Sequence, residues 1–198
     1  MTGRAPRSAG RDAREAASVN VLTRTRPGDI VLVHQRWNPF SWLIRLGQHL
    51  RGYPRVYAYW NHVGFVGQPR GPVPTIVEAV ARGVWRTDLS EYLAHPHRYR
   101  VCVVDSGLAA PERSLLLDWL DQRLGDHYGW LEIGDDAVSV LTGIRVRWRE
   151  RAHYICSELV ADGLRALAGI RIASRMSFPC PADIARHYDV VHYTRRAR

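Results

Sequence analysis

Cys156 is the residue of this sequence whose type and position best suit nucleophilic chemistry. It begins a segment, Cys156 to Leu167, whose apolar residues recur at three- and four-residue steps and so predict a helix. Unpaired N–H groups and the helix dipole at that end stabilise a thiolate, and the same N–H groups can hold the oxyanion that forms when a carbonyl is attacked. An inert cysteine on the apolar helix face is the competing interpretation.

His62 and Glu78 are the residues that could assist such a nucleophile. His62 lies in a predicted strand, where a neutral imidazole near the sulfur could take its proton and return it to the leaving group. Glu78 interrupts an apolar segment, and a carboxylate there must face solvent or have a partner. If the two strands pair, Glu78 can orient the imidazole. A structural histidine and a solvent-exposed glutamate at a sheet edge are the alternatives.

The strands that must position these residues are short and rich in β-branched side chains. A turn at Pro27-Gly28-Asp29 precedes the first of them, and Asp29 is interpreted as a turn residue. The predicted strands are Ile30 to Val33, Asn61 to Val66, Thr75 to Val80, Gly83 to Arg86, Tyr99 to Val104 and Asp189 to Tyr193. The three strands between residues 61 and 86, with their short connections, indicate a small antiparallel meander.

Helical periodicity predicts Pro39 to Leu50, Pro111 to Leu124, Cys156 to Leu167 and a short piece near Asp183. The first of these helices has a capping Asn38 before its first proline. We expect its apolar stripe to face the core, with a membrane-touching face as the alternative; the stripe consists of Phe40, Leu43, Leu46 and Leu50, widened by Trp42 and Ile44.

The remaining segments set the expected domain organisation. Residues 1–26 are rich in Arg, Ala, Gly and Ser and are predicted to form a flexible basic arm, while 27–198 form one domain. Residues 125–152 show no clear period and predict a loop with one short helix. No signal-peptide pattern and no apolar stretch of membrane-spanning length is apparent, so we expect a cytoplasmic protein.

Composition limits the partners and cofactors. All 28 cationic side chains are Arg, and the net charge of +9 favours anionic partners, although a nucleotide bias of the source genome explains it equally well. The three cysteines are widely spaced and odd in number, which argues against a disulfide scaffold and favours a reducing compartment. Nine scattered histidines, of which only His95 and His97 are close together, predict no metal, and we expect no cofactor.

Several blocks of the sequence, taken in order, resemble a known family. The order is that of the circularly permuted branch of the NlpC-type papain-like superfamily, in which the strands bearing histidine precede the helix bearing cysteine. The blocks are Gly28-Asp29-Ile30-Val31-Leu32, Phe40-Ser41-Trp42-Leu43-Ile44-Arg45-Leu46, Asn61-His62-Val63-Gly64, Val77-Glu78-Ala79 and Tyr154-Ile155-Cys156-Ser157-Glu158-Leu159-Val160. Gly129 and Cys180 depart from the family pattern.

The resemblance implies an α+β fold, with an antiparallel sheet of five to six strands and the cysteine helix packed on one face. It implies that Cys156 is the nucleophile, His62 the base and Glu78 the orienting residue, and that Tyr154 contributes to the oxyanion site. The expected activity is that of a cysteine hydrolase of amidase or peptidase type, or of an acyltransferase like the lecithin:retinol acyltransferase relatives. The expected substrate is a small peptide, an amide or an acyl ester.

A different class of function stays open beside the enzyme. The arginines and the seven Trp residues could make the protein a non-catalytic module that binds nucleic acid or an anionic membrane surface. For the enzyme, a peripheral contact with anionic lipid is a further expectation, nucleic acid is not an expected partner, and the oligomeric state is not predicted.

Overall fold

The computed structural model describes residues 25–126, 155–176 and 178–191. Its strands are β1 (Ile30–Gln35), β2 (His62–Val66), β3 (Thr75–Val80), β4 (Gly83–Asp88) and β5 (Tyr99–Val104). Its helices are α1 (Pro39–Leu50), α2 (Arg55–Ala58), α3 (Leu89–Leu93), α4 (Ala110–Asp121), α5 (Cys156–Ala168) and α6 (Pro181–His187). The five strands form one antiparallel sheet in the order β4-β3-β2-β1-β5.

The strand β1 lies inside the sheet because its first four residues are apolar toward both faces. Residues 30–33 are fully buried, and Ile30 pairs with Phe65 on one side and with Val104 on the other. On the far side of β2, Phe65 pairs with Val77. The next residue of β3 is Glu78, and from there the strand runs toward the start of β2, where His62 lies.

Helices cover both faces of the sheet. On one face, α4 and α5 pack on the larger apolar cluster, which includes Ile30, Leu32, Val63, Phe65, Val77, Leu116, Leu120, Leu159, Val160 and Leu164. On the other face, α3 closes a smaller cluster formed by Val31, Val33, Val66, Ile76, Leu89 and Tyr92. Each of these large buried side chains contributes about 1.5–3 kcal/mol by leaving water, so the packing of α5 holds its first residue, Cys156, against the sheet.

The fold class predicted from the sequence is confirmed. Five strands, the lower number expected, are present in the described ranges, and the cysteine helix packs on one face of the sheet. The predicted strand at Asp189 to Tyr193 is wrong for the residues that can be inspected, because 189–191 form a turn and irregular chain after α6. The two short helices α2 and α3 were not predicted.

The orientation predicted for α1 is also wrong. Its buried residues are Ser41, Gly47 and Gln48, whereas Trp42 and Leu50 are 59% and 66% exposed. The helix limits were predicted correctly because Asn38 caps it, its Oδ1 accepting from Phe40 N at 2.9 Å. Nearly all of the predicted 125–152 loop lies outside the described residues, and the boundary between a basic arm and the domain stays a prediction.

Candidate active site

Cys156 and His62 meet at one edge of the sheet, although 94 residues (156 − 62) separate them in the chain. Cys156 is the first residue of α5 and His62 is the first residue of β2. The sulfur of Cys156 lies near enough to raise the pKa of His62, and both side chains line the same cavity. Both residues are less than a tenth exposed, so the pair is largely shielded from bulk water.

Glu78 holds the other side of the imidazole. The Nε2 atom of His62 lies 2.5 Å from Oε2 of Glu78, so the two side chains are hydrogen-bonded. Because Nε2 faces the carboxylate, Nδ1 is the ring nitrogen that remains for the sulfur of Cys156. The imidazole therefore lies between the carboxylate, to which it is hydrogen-bonded, and the sulfur.

The carboxylate of Glu78 is itself fully supported. The Tyr92 hydroxyl donates to Oε2 at 2.7 Å, and the Thr87 hydroxyl donates to Oε1 at 2.7 Å. Glu78 is only 1% exposed, and a buried carboxylate without partners would be costly. Tyr92 and Thr87 were missed in the sequence because they come from α3 and β4, and only tertiary packing brings them to Glu78.

These contacts set the charges of the pair. Burial alone would lower the pKa of His62, but the neighbouring Cys156 sulfur and the bond and charge of Glu78 outweigh it and raise the pKa well above 6.5. Burial alone would raise the pKa of Glu78, but its bonds with His62, Tyr92 and Thr87 lower it below 4.5. These neighbours therefore favour the protonated form of the imidazole, which prepares His62 to accept a proton from the sulfur.

Gln35 is a further residue of the site that was missed in the sequence. The cap of α1 uses Oδ1 of Asn38, so Nδ2 of Asn38 is the atom that donates to Oε1 of Gln35, at 3.2 Å. Ser41 Oγ donates to the same Oε1 at 2.9 Å. With its oxygen occupied in this way, Gln35 keeps its amide NH₂ group for other acceptors, and its side chain lines the cavity that holds Cys156.

The cavity beside the sulfur has a volume of about 200 Å³. Its polar wall carries Gln35, Asn61 and His62, and its apolar wall includes Phe40, Ile44 and Phe178. The side-chain oxygen of Asn61 accepts from the backbone N–H of Gln35 at 2.9 Å and so joins β1 to the chain just before β2. A small acyl or peptidyl group fits this volume and chemistry.

Other residues considered from the sequence have structural places. Asp29 accepts from Arg26 N at 2.8 Å and from Nη1 of Arg113 at 2.7 Å, as a turn residue would. Cys180 lies 1% exposed at the start of α6, where burial and the charge of Asp183 raise the pKa of its thiol. Burial also raises the pKa of Cys102. Tyr154 lies outside the described residues.

Comparison with known proteins identifies the class of protein. Residues 24–179 match the family described as permuted papain-like amidase enzyme, YaeF/YiiX, C92 family. This match covers most of the chain, and the protein belongs to that family. The predicted relationship to permuted papain-like cysteine amidases is therefore confirmed, as is membership of an enzyme family of hydrolase type.

A solved structure supports the same fold. The chain is similar to the metalloprotein yiiX from Escherichia coli O157:H7, with a TM-score of 0.53 and 22% identity over 82% of this chain and 80% of that one. No curated protein matches the sequence. In the part of the chain that the structure describes, no three His, Cys, Asp or Glu side chains are grouped as a metal site, and no helix is long and apolar enough to cross a membrane.

Proposed function

We propose that this protein is a cysteine amidase that cleaves amide or ester bonds through an acyl-enzyme intermediate on Cys156. One observation carries the proposal: Cys156 and His62 line the same small cavity, and Glu78 is hydrogen-bonded to the imidazole. Within the C92 family, it assigns Cys156 as nucleophile, His62 as base and Glu78 as orienting residue.

The first step is the formation of the acyl-enzyme. Cys156 gives its proton to Nδ1 of His62, and the thiolate attacks the carbonyl carbon of the substrate. The resulting imidazolium, stabilised by Glu78, then donates that proton to the departing amine or alkoxide as the C–N or C–O bond breaks. The thioester that remains on Cys156 carries the acyl part of the substrate.

The negative charge that develops on the carbonyl oxygen needs donors. Cys156 lies at the first position of α5, where backbone N–H groups have no acceptor within the helix. We assign Gln35 Nε2 as a side-chain donor to the same oxyanion, because its amide is oriented by Asn38 and Ser41. We also propose Tyr154 as a contributor, on the basis of the family resemblance.

The second step releases the acyl group. His62, now neutral, takes a proton from a water molecule or from another acceptor, and the oxygen or nitrogen of that acceptor attacks the thioester. Return of the proton to sulfur restores the resting site. Water gives hydrolysis and a different acceptor gives acyl transfer, and we propose hydrolysis as the main reaction, with small peptides, amides or acyl esters as substrates.

Intact-mass spectrometry with a p-nitrophenyl acyl ester tests the proposal. We expect one acyl adduct on the wild-type protein, located on Cys156 by peptide mapping, because the thiols of Cys102 and Cys180 have raised pKa values. Cys156→Ala should abolish the adduct and leave the thermal midpoint unchanged, whereas Cys102→Ala should keep the adduct. Equal labelling of all three cysteines would contradict the assignment.

The compartment is part of the same proposal. Cys102, Cys156 and Cys180 are all free thiols in the structure. A thiolate nucleophile keeps its activity where disulfides are kept reduced, so we propose the cytoplasm as the place of action. Fusion to a redox-sensitive fluorescent protein and fractionation of the native host would check this location.

A further inference from the structure

The helix α1 presents its large apolar side chains to the outside. Trp42 and Leu50 are 59% and 66% exposed, and Leu46 lies between them at four-residue spacing on the same side of the helix. Trp37, just before the helix, is 77% exposed, and Phe40 in its first turn is 47% exposed. We call these five residues, Trp37, Phe40, Trp42, Leu46 and Leu50, the α1 apolar surface.

The inward face of α1 explains why the helix cannot simply turn over. Gln48 is completely buried and donates to the carbonyls of Ala58 and Trp60, while its oxygen accepts from Ala182 N at 2.8 Å. Rotating the helix to bury Trp42 would leave these groups unpaired at a cost of about 1–3 kcal/mol each. The exposure of the apolar side is therefore built into the fold.

The segment of the chain that contains the α1 apolar surface carries arginines and no acidic residues. No Asp or Glu occurs between Asp29 and Glu78, whereas five Arg lie in that interval. Within the described ranges, no carboxylate pairs with Arg36, Arg45 or Arg55. Burial lowers the pKa of His49 most, and the charges of Arg45 and Arg55 lower it further. Arg45 belongs to α1, as His49 does, and Arg55 therefore lies close to this helix.

We propose that the α1 apolar surface binds peripherally to an anionic lipid surface. Tryptophan and leucine side chains on one side of a helix, flanked by arginines without acidic partners, are the chemistry that inserts into the boundary between lipid headgroups and acyl chains. Arg45 lies in α1 and pairs with no carboxylate among the described residues, so its guanidinium can donate to a phosphate oxygen of a lipid headgroup.

The α1 apolar surface is continuous with the candidate active site. Phe40 belongs to this surface and also lines the cavity of Cys156. Ile44, one turn further along the helix, lines the same cavity. A lipid-borne acyl group could therefore pass from the bilayer to the sulfur along apolar side chains. This last consequence rests on the proposed function, whereas the lipid binding itself does not.

Co-sedimentation with vesicles tests the proposal. Cys156→Ala should bind vesicles of equal parts phosphatidylglycerol and phosphatidylcholine as well as the wild type does, and should bind pure phosphatidylcholine at least about fivefold more weakly. In the same protein, Trp42→Ser with Leu50→Ser should weaken partition into the mixed vesicles about tenfold or more. Arg45→Gln should weaken it by a smaller factor.

A matched control uses exposed apolar residues far from α1. Trp85 on β4 is 43% exposed and Leu115 on α4 is 56% exposed. Replacing both by serine should leave vesicle binding unchanged. Binding that survives Trp42→Ser with Leu50→Ser, or that the control pair weakens equally, would overturn the proposal. A third result would also overturn it: the wild type does not bind vesicles, and the thermal midpoint of the α1 variant falls. That result means that another part of the chain covers the surface.

Discussion

The two ring nitrogens of His62 face different neighbours, and this arrangement determines which nitrogen is available to exchange a proton with the sulfur. Nε2 lies against Glu78, which is supported by Tyr92 and Thr87, and the other nitrogen is left for the sulfur. A carboxylate so held strengthens the imidazole as a base and stabilises its protonated form. Glu78 therefore supports the imidazole from one side while the other ring nitrogen stays available to the sulfur.

Glu78→Gln should lower the pKa of His62, because it removes the negative charge that helps to raise it. We expect the imidazole NMR signals of the wild type to titrate far above pH 6.5 and those of the variant to titrate closer to it. A raised folded-state pKa stabilises the protein at low pH, and this stability is lost as the pH rises through the folded value. The free energy of unfolding of the wild type should therefore fall above pH 6.5 more than that of the variant.

Thr87→Val is the control for that measurement. It removes a single hydrogen bond to Glu78 and keeps the charge, so the titration of His62 should move much less than in Glu78→Gln. If Glu78→Gln leaves the imidazole titration where it is in the wild type, the carboxylate does not act on His62 as we describe.

Gln35→Ala should slow acylation by a p-nitrophenyl ester about 10²- to 10³-fold, the loss typical of one oxyanion donor. Alkylation of Cys156 by iodoacetamide should keep its wild-type rate, because that reaction forms no oxyanion. Gln35→Glu should be as slow as Gln35→Ala in acylation, since its carboxylate offers no N–H. Equal slowing of alkylation and acylation in Gln35→Ala would indicate a disturbed sulfur instead.

At the scale of the elements, the close approach of β2 and β3 brings His62 to Glu78. A Cβ atom placed on Gly64 would lie 2.7 Å from the carbonyl oxygen of Val77 and 2.8 Å from Cγ1 of Ile76. Real Cβ atoms do not come so close to backbone, so only glycine allows this spacing of the strands. The local spacing of β2 and β3 therefore depends on the absence of a Cβ atom at Gly64.

Gly64→Ala should destabilise the protein by about 1–3 kcal/mol and weaken the hydrogen bond between His62 and Glu78. Urea unfolding measures the first effect and the imidazole titration measures the second. Gly163→Ala is the comparison, because its Cβ would meet side-chain atoms of Leu116 and Phe65 at 3.1 Å and these can move. A cost at Gly64 no larger than that at Gly163 would show that the strands can separate without harm.

Most elements could be predicted because each carries its own local signal. Asn38 and Pro39 define the start of α1, and alternation and β-branching define β1 to β5. The orientation of α1 could not be predicted, since an outward apolar stripe has the same spacing as an inward one. The difference lies in Gln48, whose three partners lie outside the helix, two of them just before β2 and one in α6.

The same distinction applies to the candidate site. Cys156, His62 and Glu78 were predicted from residue types that look out of place in their segments. Gln35, Thr87 and Tyr92 look ordinary in theirs, and only the three-dimensional packing shows that they support the site. Their roles as catalytic or positioning residues are predictions that the variants above will test.

Across the whole molecule, Arg113 of α4 connects the start of the sheet to the helix layer. It donates to Asp29 at 2.7 Å, to the carbonyl of Pro27 at 2.8 Å and to Asp105 at 2.5 Å. The side chain of Asp29 is 6% exposed, whereas that of Asp105 is 67% exposed. The buried ion pair, between Arg113 and Asp29, therefore holds the sheet and the helix layer together.

Asp29→Ala should lower the free energy of unfolding by about 2–4 kcal/mol, because it breaks a buried pair and leaves the turn N–H of Arg26 without its acceptor. Asp105→Ala should cost less than about 1 kcal/mol, since its pair with Arg113 is exposed to water. Thermal and urea unfolding of the two variants provide the measurement. Similar losses in both would mean that burial does not decide the strength of this connection.

The order of the three residues along the chain has a consequence during translation. His62 and Glu78 leave the ribosome long before Cys156, so strands β1 to β5 can pair while the sulfur is still unsynthesised. The helix that bears the thiol then arrives at a surface where its base and carboxylate already lie side by side. In a nascent chain of this protein, His62 and Glu78 are therefore available to pair with each other before Cys156 is made.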